Sequence, residues 1–291
     1  MQRLGESVVW RGSKSSWLGP RLGPCCLISM VDEATGRSLA RFVEENSTPA
    51  NLHVLGLYLN AFGRPLVFRT HRLSLFRGNP RFTKAAVNTA AGRSQVRRAL
   101  EELDIDWLPE DLRSREGFAR DFFNAAKREL APGLVQSGAR TITEANRYLE
   151  RVFLRAWHSR PEIRSSIRSC PNDAHRALLP EHDLEAILSE VEVRTVCPNG
   201  AIQFHGAAYR IPDYGPASVQ VQIEKRGNGQ VYMRGDNACV RLMECDPPQG
   251  RMPERKLKPV ASKARSQRPV NPNWMRNFFN RPAPPLWRCL K

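Results

Sequence analysis

Apolar positions in the first part of the chain follow a strand pattern and then a helix pattern. Residues 25–31 form a continuous apolar run of strand length, residues 32–36 favour a turn, and residues 38–43 resume an extended pattern, which predicts a β-hairpin. Thr48 and Pro49 then mark a helix start, because a threonine cap followed by a first-turn proline is typical of helix N-termini. The inner face of this helix is predicted to consist of Leu52, Leu55, Leu59 and Phe62.

Strand and helix patterns alternate further along the chain. Residues 66–70 and 105–108 have the composition of buried strands, whereas residues 94–103 and 114–130 show helical periodicity. The second of these helices is predicted to end at Pro132-Gly133, since proline and glycine both interrupt helices. Strands that alternate with helices indicate a mixed α/β sheet flanked by helices.

The remaining chain changes from helical to β patterns. A capping box from Thr141 to Glu144 begins the last helix of the core. After a polar stretch, short strands are separated by Asn199-Gly200 and by residues 227–229, which are turns typical of antiparallel hairpins, so we expect a small antiparallel β-barrel. The predicted divisions are an α/β core at 1–160, a linker at 161–183, the barrel at 184–245 and a disordered, basic, proline-rich tail at 246–291.

Charge adds a partner to this picture. The 291 residues include 45 Lys and Arg against 29 Asp and Glu, a net charge of +16, and such an excess favours polyanions. Residues 246–291 alone hold 11 Lys and Arg against 2 Asp and Glu, which suits a strap over phosphates. DNA is therefore the expected partner, and the candidate contacts are Arg93, Arg97, Arg98, Lys256, Lys258, Lys263, Arg265 and Arg268.

Other classes of partner and site find little support in the sequence. The longest apolar run, residues 22–31, is too short to span a bilayer, and residues 1–14 lack the apolar core of a signal peptide, so we expect a cytoplasmic, nucleoid-associated protein. The seven cysteines show no zinc-ligand spacing. Residues 227–229 precede no helix and are not a phosphate loop, so no small-molecule substrate is expected.

A series of motifs resembles one family of enzymes. The resemblance is to the catalytic core of DDE-type insertion-sequence transposases of the ISNCY group, which are relatives of retroviral integrases. It begins with Arg11-Gly12-Ser13, Trp17-Leu18, Gly23-Pro24 and residues 31–36, and it continues through residues 74–77, 98–103, 141–146, 173–176, 184–188 and 194–196. Because the match extends over roughly residues 7–245, it is more specific than any single motif.

The resemblance implies an RNase H-like core that handles DNA strands with two Mg²⁺ ions. In such a mechanism one ion activates the attacking water or 3′-hydroxyl and the other stabilises the leaving oxygen. Hard cations of this kind are held by carboxylates. The family takes these acids from the first strand, from the end of a later strand and from a helix that packs over both.

The chain departs from the family at all three of these positions. Arg11 stands where the family has the aspartate of an Asp-Gly-Ser motif, and a permanently protonated guanidinium cannot bind Mg²⁺. His71 aligns with the second acid, and imidazole is a poor Mg²⁺ ligand. Ala119 aligns with the third acid and offers no ligand atom. We therefore expect no bound cofactor and a degenerate copy that keeps nonspecific DNA binding but cannot cleave.

Two alternatives remain open at this stage. Glu116 lies one helical turn before Ala119, so an active transposase that uses displaced acids such as Glu116 is one of them. The other is an inhibitory subunit that joins an intact transposase, or further copies of itself, in oligomers. Related transposases also carry a helix-turn-helix domain ahead of the core, and because this sequence begins about one strand before the position of the first acid, we expect no sequence-specific recognition of element ends.

Overall fold

The computed structural model describes residues 3–20, 22–70, 94–109, 117–170, 172–197, 199–211, 219–235 and 239–245. All of them belong to one compact unit that spans Met1–Pro248. Several predicted site residues lie outside the described residues, namely His71, Arg93, Glu116, Lys256, Lys258, Lys263, Arg265 and Arg268.

The centre of the molecule is a mixed five-stranded sheet. Its strands are β1 (Ser7–Ser15), β2 (Cys25–Asp32), β3 (Ser38–Val43), β4 (Val67–Thr70) and β5 (Asp106–Pro109). They lie in the order β3-β2-β1-β4-β5. The first three strands form antiparallel pairs, whereas β4 runs parallel to both β1 and β5. This order and these directions are those of an RNase H-like sheet, and the expected fold class is confirmed.

Asp32 organises the predicted hairpin between β2 and β3. Its carboxylate accepts hydrogen bonds from the backbone N–H groups of Gly5 and Thr35 at 2.8 Å, and from the Thr35 hydroxyl at 2.7 Å. The sequence suggests a surface turn residue here, but Asp32 is only 2% exposed. Burial of this carboxylate is tolerated because several donors satisfy it, so Asp32 holds the N-terminal segment and the hairpin together.

Helices cover both faces of the sheet. On one face, α1 (Thr48–Phe62) and α2 (Gln95–Glu102) pack with the side chains of alternate strand residues such as Trp10 and Phe68. The opposite face is covered by α3, α4 and α5 around a second cluster that includes Val9. The α3 helix comprises three consecutive segments, Phe118–Ala125, Ala126–Leu130 and Ala131–Gln136. The α4 helix likewise comprises Ile142–Tyr148, Leu149–Phe153 and Leu154–His158. The α5 helix is Pro161–Ser169, and a short α6 is Leu184–Ile187.

Pro132 does not end α3 as the sequence suggests. A proline inside a helix removes one hydrogen bond and crowds the preceding turn, yet α3 continues through Pro132 to Gln136. The turn just before it, Ala126–Leu130, is a π-turn. This wider turn lets the helix continue although Pro132 cannot donate a backbone hydrogen bond. The next residue, Gly133, permits close contact with α4, because a Cβ there would lie 2.2 Å from the Tyr148 hydroxyl.

The β region forms two open antiparallel sheets and not the expected barrel. Their orders are β11-β10-β9-β6 and β12-β8-β7. The chain changes sheet at Leu242, whose N–H donates to the Val231 carbonyl at 2.8 Å while its side chain is buried between the sheets. The strands are β6 (Glu190–Thr195), β7 (Ala201–Phe204), β8 (Ala207–Arg210), β9 (Gln220–Lys225), β10 (Val231–Arg234), β11 (Cys239–Arg241) and β12 (Met243–Cys245). A shared core therefore replaces the continuous hydrogen-bond ladder of a closed barrel.

The segment predicted as a linker is bonded to the core. It contains α5, and Asp173 and Arg176 then form isolated bridges to Leu4 and Arg64. His175 lies between these bridges, and its Nε2 is 2.8 Å from the Tyr58 hydroxyl. Within the described ranges, every helix is too short or too polar to cross a membrane.

Candidate functional site

Arg11 lies in the middle of the sheet on β1. It pairs with Ser29 of β2 and is half-buried. Because successive strand residues alternate between faces, Arg11 shares the face of Val9, which belongs to the cluster under α3 and α4. The Arg11 side chain therefore belongs to the α3 side of the sheet.

Ala119 lies on that same side, in the first turn of α3. It is 8% exposed and is a member of the same apolar cluster as Val9 and Phe122. Two of the three aligned positions, Arg11 and Ala119, are thus placed on one face. The third, His71, follows the last described residue of β4, so convergence of all three positions stays a prediction.

The described positions do not fit a Mg²⁺ site. Arg11 carries a cation where a ligand is needed, and Ala119 has only a methyl group among apolar neighbours. Within the described part of the chain, no three His, Cys, Asp or Glu side chains are grouped so that they could hold a metal ion. Mg²⁺ requires carboxylate ligands, and neither Arg11 nor Ala119 supplies one.

A second arginine occupies the same face near the end of β4. Arg69 pairs with Val9 across the parallel strands, and its Nε donates to the Ser7 hydroxyl at 3.0 Å and lies 3.3 Å from a Glu33 carboxylate oxygen. Ser7 also hydrogen-bonds to Glu33. The carboxylate of Glu33 is therefore engaged with Arg69. Sequence reasoning treats Glu33 as a turn residue only, because no local pattern links it to Arg69.

Arg97 and Arg98, two predicted DNA contacts, form ion pairs along α2. Arg97 lies 2.7 Å from Glu101, and Arg98 lies 2.8 Å from Glu102. Arg98 also donates to the carbonyls of Ile187 and Ser189, and its side chain is only 13% exposed. Burial, partly offset by Glu102, lowers the pKa of Arg98 from its ordinary value. The guanidinium of Arg98 is thus directed into the protein.

These ion pairs continue into a buried network that links α2 to the β sheets. Arg234 of β10 lies 2.9 Å from Glu102 and 2.5 Å from Glu224, and Arg226 lies 2.8 Å from Glu224. Glu224 is fully buried. Burial alone would raise the pKa of Glu102, but hydrogen bonds from Arg234 and Arg98 hold that pKa below its usual range. The network joins the core to the β region through the fully buried Glu224, through Arg234 and Arg226 at 18% and 12% exposure, and through Glu102 at 31% exposure.

Comparison with known proteins gives one close sequence relative and several distant structural ones. No family model matches the chain. The chain is 31% identical over 197 residues to a protein of Sinorhizobium fredii (strain NBRC 101917 / NGR234) named "Putative transposase y4bF", and the match covers 67% of this chain and 41% of the relative. The chain thus spans less than half the length of that relative.

Among solved structures, the chain is similar to the integrase catalytic core domain of HTLV-2 in complex with magnesium, in its trimeric form. The identity is 10%, the TM-score is 0.37, and the match covers 50% of this chain and 85% of that chain. The intasome of simian T-cell lymphotropic virus, in complex with PP2A regulatory subunit B56 gamma, matches at 11% identity with a TM-score of 0.38, over 84% of this chain and 80% of that chain. Over two thirds of its length the chain is therefore similar in sequence to a transposase, and its core has the strand order of an RNase H-like sheet.

Proposed function

We propose that this chain binds duplex DNA through Lys and Arg contacts to phosphates, and that it neither cleaves nor joins DNA strands. The observation that carries the proposal is the common position of Arg11 and Ala119 on the α3 side of the sheet. The family resemblance assigns metal-binding acids to both positions. The net charge of +16 supports the retained affinity for DNA.

The loss of cleavage follows from the chemistry of these two residues. A two-metal mechanism depends on carboxylates that bring both ions to the scissile phosphate. Arg11 repels a divalent cation, and Ala119 cannot ligate one. The guanidinium of Arg11 is still suited to a phosphate oxygen, so replacement of the acid changes the preferred ligand of this face from a metal ion to an anion.

The tail adds a second, sequence-independent contribution to DNA binding in this proposal. Residues 246–291 hold 11 Lys and Arg against 2 Asp and Glu, and contacts between such cations and phosphates do not discriminate between bases. A protein with these properties is expected to associate with the nucleoid. The described contacts of Arg98 favour an internal role for that residue over a contact with DNA.

The proposal is tested by assaying nicking and strand transfer on supercoiled DNA with Mg²⁺ and with Mn²⁺. We expect bound DNA and no product at any metal concentration. A matched variant, R11D/H71D/A119E, restores the acid at each aligned position. It shows whether the three acids are enough to recover metal binding, and the natural chain is compared with it. Reproducible metal-dependent nicking by the natural chain, abolished by Glu116→Ala, would overturn the proposal and favour an active enzyme.

A further inference from the structure

Three arginines form a line on the outer side of α4. Arg147, Arg151 and Arg155 are each four residues apart and are all exposed. Residues at this spacing lie on one side of a helix, and successive members are about 6 Å apart along the axis at the α-helical rise of about 1.5 Å per residue, or slightly less through the π-turn at Leu149–Phe153. We call these three residues the arginine stripe.

Nothing in the described part of the chain neutralises the arginine stripe through an ion pair. The two glutamates of α4 are engaged elsewhere. Glu144 accepts hydrogen bonds from the backbone N–H groups of Arg140 and Thr141 at 2.8 and 3.1 Å, as part of the capping box. Glu150 pairs with Arg41 of β3. The stripe therefore presents three charges to solvent with no acidic partner at hydrogen-bond distance.

This arrangement has an energetic cost in the absence of a ligand. Like charges four residues apart destabilise a helix by about 0.2–0.5 kcal/mol per pair. The helix forms despite this repulsion because its inner face is buried in the core, through Ala145, Leu149, Phe153 and Trp157. An anion that bridges the arginines would remove the repulsion, so the stripe is better suited to a polyanion than to water alone.

A groove runs beside the arginine stripe. It lies between the end of α3 and the first turns of α4, has a volume of about 340 Å³, and includes both Arg147 and Arg151 in its lining. Gly138, also in the lining, has no atom within 4 Å of the position of a Cβ. A phosphate group can therefore approach the two guanidinium groups from the open side.

We propose that the arginine stripe binds the phosphate backbone of duplex DNA, an inference that rests on the proposed function. Phosphates of each strand recur about every 3.4 Å along the axis of a duplex, so two nucleotides advance roughly 7 Å along that axis, close to the 6 Å axial steps of the stripe. The α4 helix packs into the same cluster as Val9 and Ala119. DNA on the stripe thus lies on the side of the core that carries Arg11.

The test compares two variants of the full chain that lose the same charge at different places. R147Q/R151Q/R155Q removes the stripe. R210Q/K225Q/R241Q removes three exposed cations of the β sheets that likewise form no ion pair with any described residue. Both are titrated with salt against a random-sequence duplex, with binding followed by fluorescence anisotropy.

We expect the stripe variant to reduce the log–log salt slope by roughly 2–3 units, since each lost phosphate contact contributes about 0.9, and the control variant to reduce it by less than about one unit. A third variant, R147K/R151K/R155K, should keep the slope. Equal losses in the first two variants, or none in the stripe variant, would overturn the inference. The inference would also be overturned if the stripe variant lost binding to a glutamate polymer while its salt slope on DNA stayed unchanged. That result would indicate an acidic protein partner.

Two controls separate this inference from other failures. Thermal unfolding of each variant, followed by circular dichroism, must show one cooperative transition at a temperature close to or above that of the natural chain, since loss of the repulsion stabilises α4. If the natural chain does not bind DNA at all, the proposed function itself is wrong. If the natural chain binds DNA and the stripe variant keeps its slope, only the arginine stripe is excluded as a contact.

Discussion

The helices α2 and α4 are both rich in arginine, but the arginines of α2 form ion pairs within the protein, whereas those of the arginine stripe on α4 face solvent. On α2, Arg97 and Arg98 are each followed four residues later by a glutamate, and both pairs form ion pairs. On α4, the residue four positions after Arg147 is Arg151, and neither of these arginines forms an ion pair with a described residue. In these two helices, the residue at the i+4 position decides whether an arginine forms an ion pair within the protein or is available to a ligand.

The comparison also separates a structural use of charge from a binding use. The α2 pairs extend to the buried Glu224 through Arg234, where removal from water makes each charge depend on its partner. The α4 charges remain hydrated, so each contributes little to folding. Counting basic residues in a sequence cannot distinguish these two uses, although both raise the net charge equally.

The largest expected effect is on the buried side of this comparison. Arg234→Leu should lower the free energy of unfolding by about 3 kcal/mol, because it leaves the buried Glu224 with one cation in place of two and removes a partner of Glu102. The measurement is urea-induced unfolding. Arg155→Leu on the arginine stripe is the matched control, with an expected change below about 0.5 kcal/mol.

A double variant makes this prediction sharper. Arg234→Leu combined with Glu224→Leu removes both charges and should recover part of the lost stability, since breaking a buried pair costs more than replacing both partners with apolar residues, while Arg226 keeps only Asp183 as its partner. Equal destabilisation by Arg234→Leu and Arg155→Leu would show that the α2 network is hydrated and that the two helices do not differ in the way we describe.

The next effect concerns the tail as a second source of phosphate contacts beside the arginine stripe. A chain that ends at Cys245 lacks 11 Lys and Arg and 2 Asp and Glu. If half of this net charge meets phosphates, the log–log salt slope should fall by roughly four units. A salt titration of the shortened and full chains measures it, and an unchanged slope would assign all DNA contacts to the folded part.

Local patterns predict the fold well where the structure depends on neighbours in sequence. The hairpin of β2 and β3, the start of α1 and the capping box of α4 all follow from residues within a few positions of each other, although the cap of α1 is Ser47, one residue before the predicted Thr48. Pro132 shows the limit of such rules, because α3 continues through it after a π-turn at Ala126–Leu130 that no local sequence rule predicts. The β-barrel expectation failed similarly, since strand count does not determine sheet closure.

The candidate site shows a different limit. Alignment with the family identifies Arg11 and Ala119, and the structure places both on one face. The internal role of Arg98 depends on Ile187 and Ser189, about ninety residues away, and no spacing rule reports such contacts. The 147-151-155 spacing is visible in the sequence, but only the structure shows that α4 turns this side to solvent.

A smaller effect is expected when the arginine stripe is given the pattern of α2. Arg151→Glu places an acid four residues from both Arg147 and Arg155 and should stabilise the protein by about 0.8–2 kcal/mol, because two repulsions of about 0.2–0.5 kcal/mol become two attractions of similar size. The same change should weaken DNA binding and reduce the salt slope. Thermal unfolding and anisotropy on one sample measure both effects, and a loss of stability would mean that the stripe arginines are not repelling one another.

The smallest expected effect is the pH response of the inward end of α4, at His158. Its Nε2 accepts a hydrogen bond from the backbone N–H of Ser38 at 3.1 Å, which requires that nitrogen to be unprotonated. Burial, and then the nearby charge of Arg37, lower the pKa of His158 in the folded protein. The unfolded chain therefore binds the proton more readily, so the contribution of His158 to stability is complete above the ordinary histidine pKa of about 6.5 and declines as the pH falls toward the folded value.

His158→Gln keeps an acceptor without a titrating group, and should flatten the dependence of the melting temperature on pH between about 7.5 and 5.5. The arginines of the stripe do not titrate in this range, so R147Q/R151Q/R155Q should leave that dependence unchanged, and an identical pH profile for His158→Gln and the natural chain would assign the response to another group.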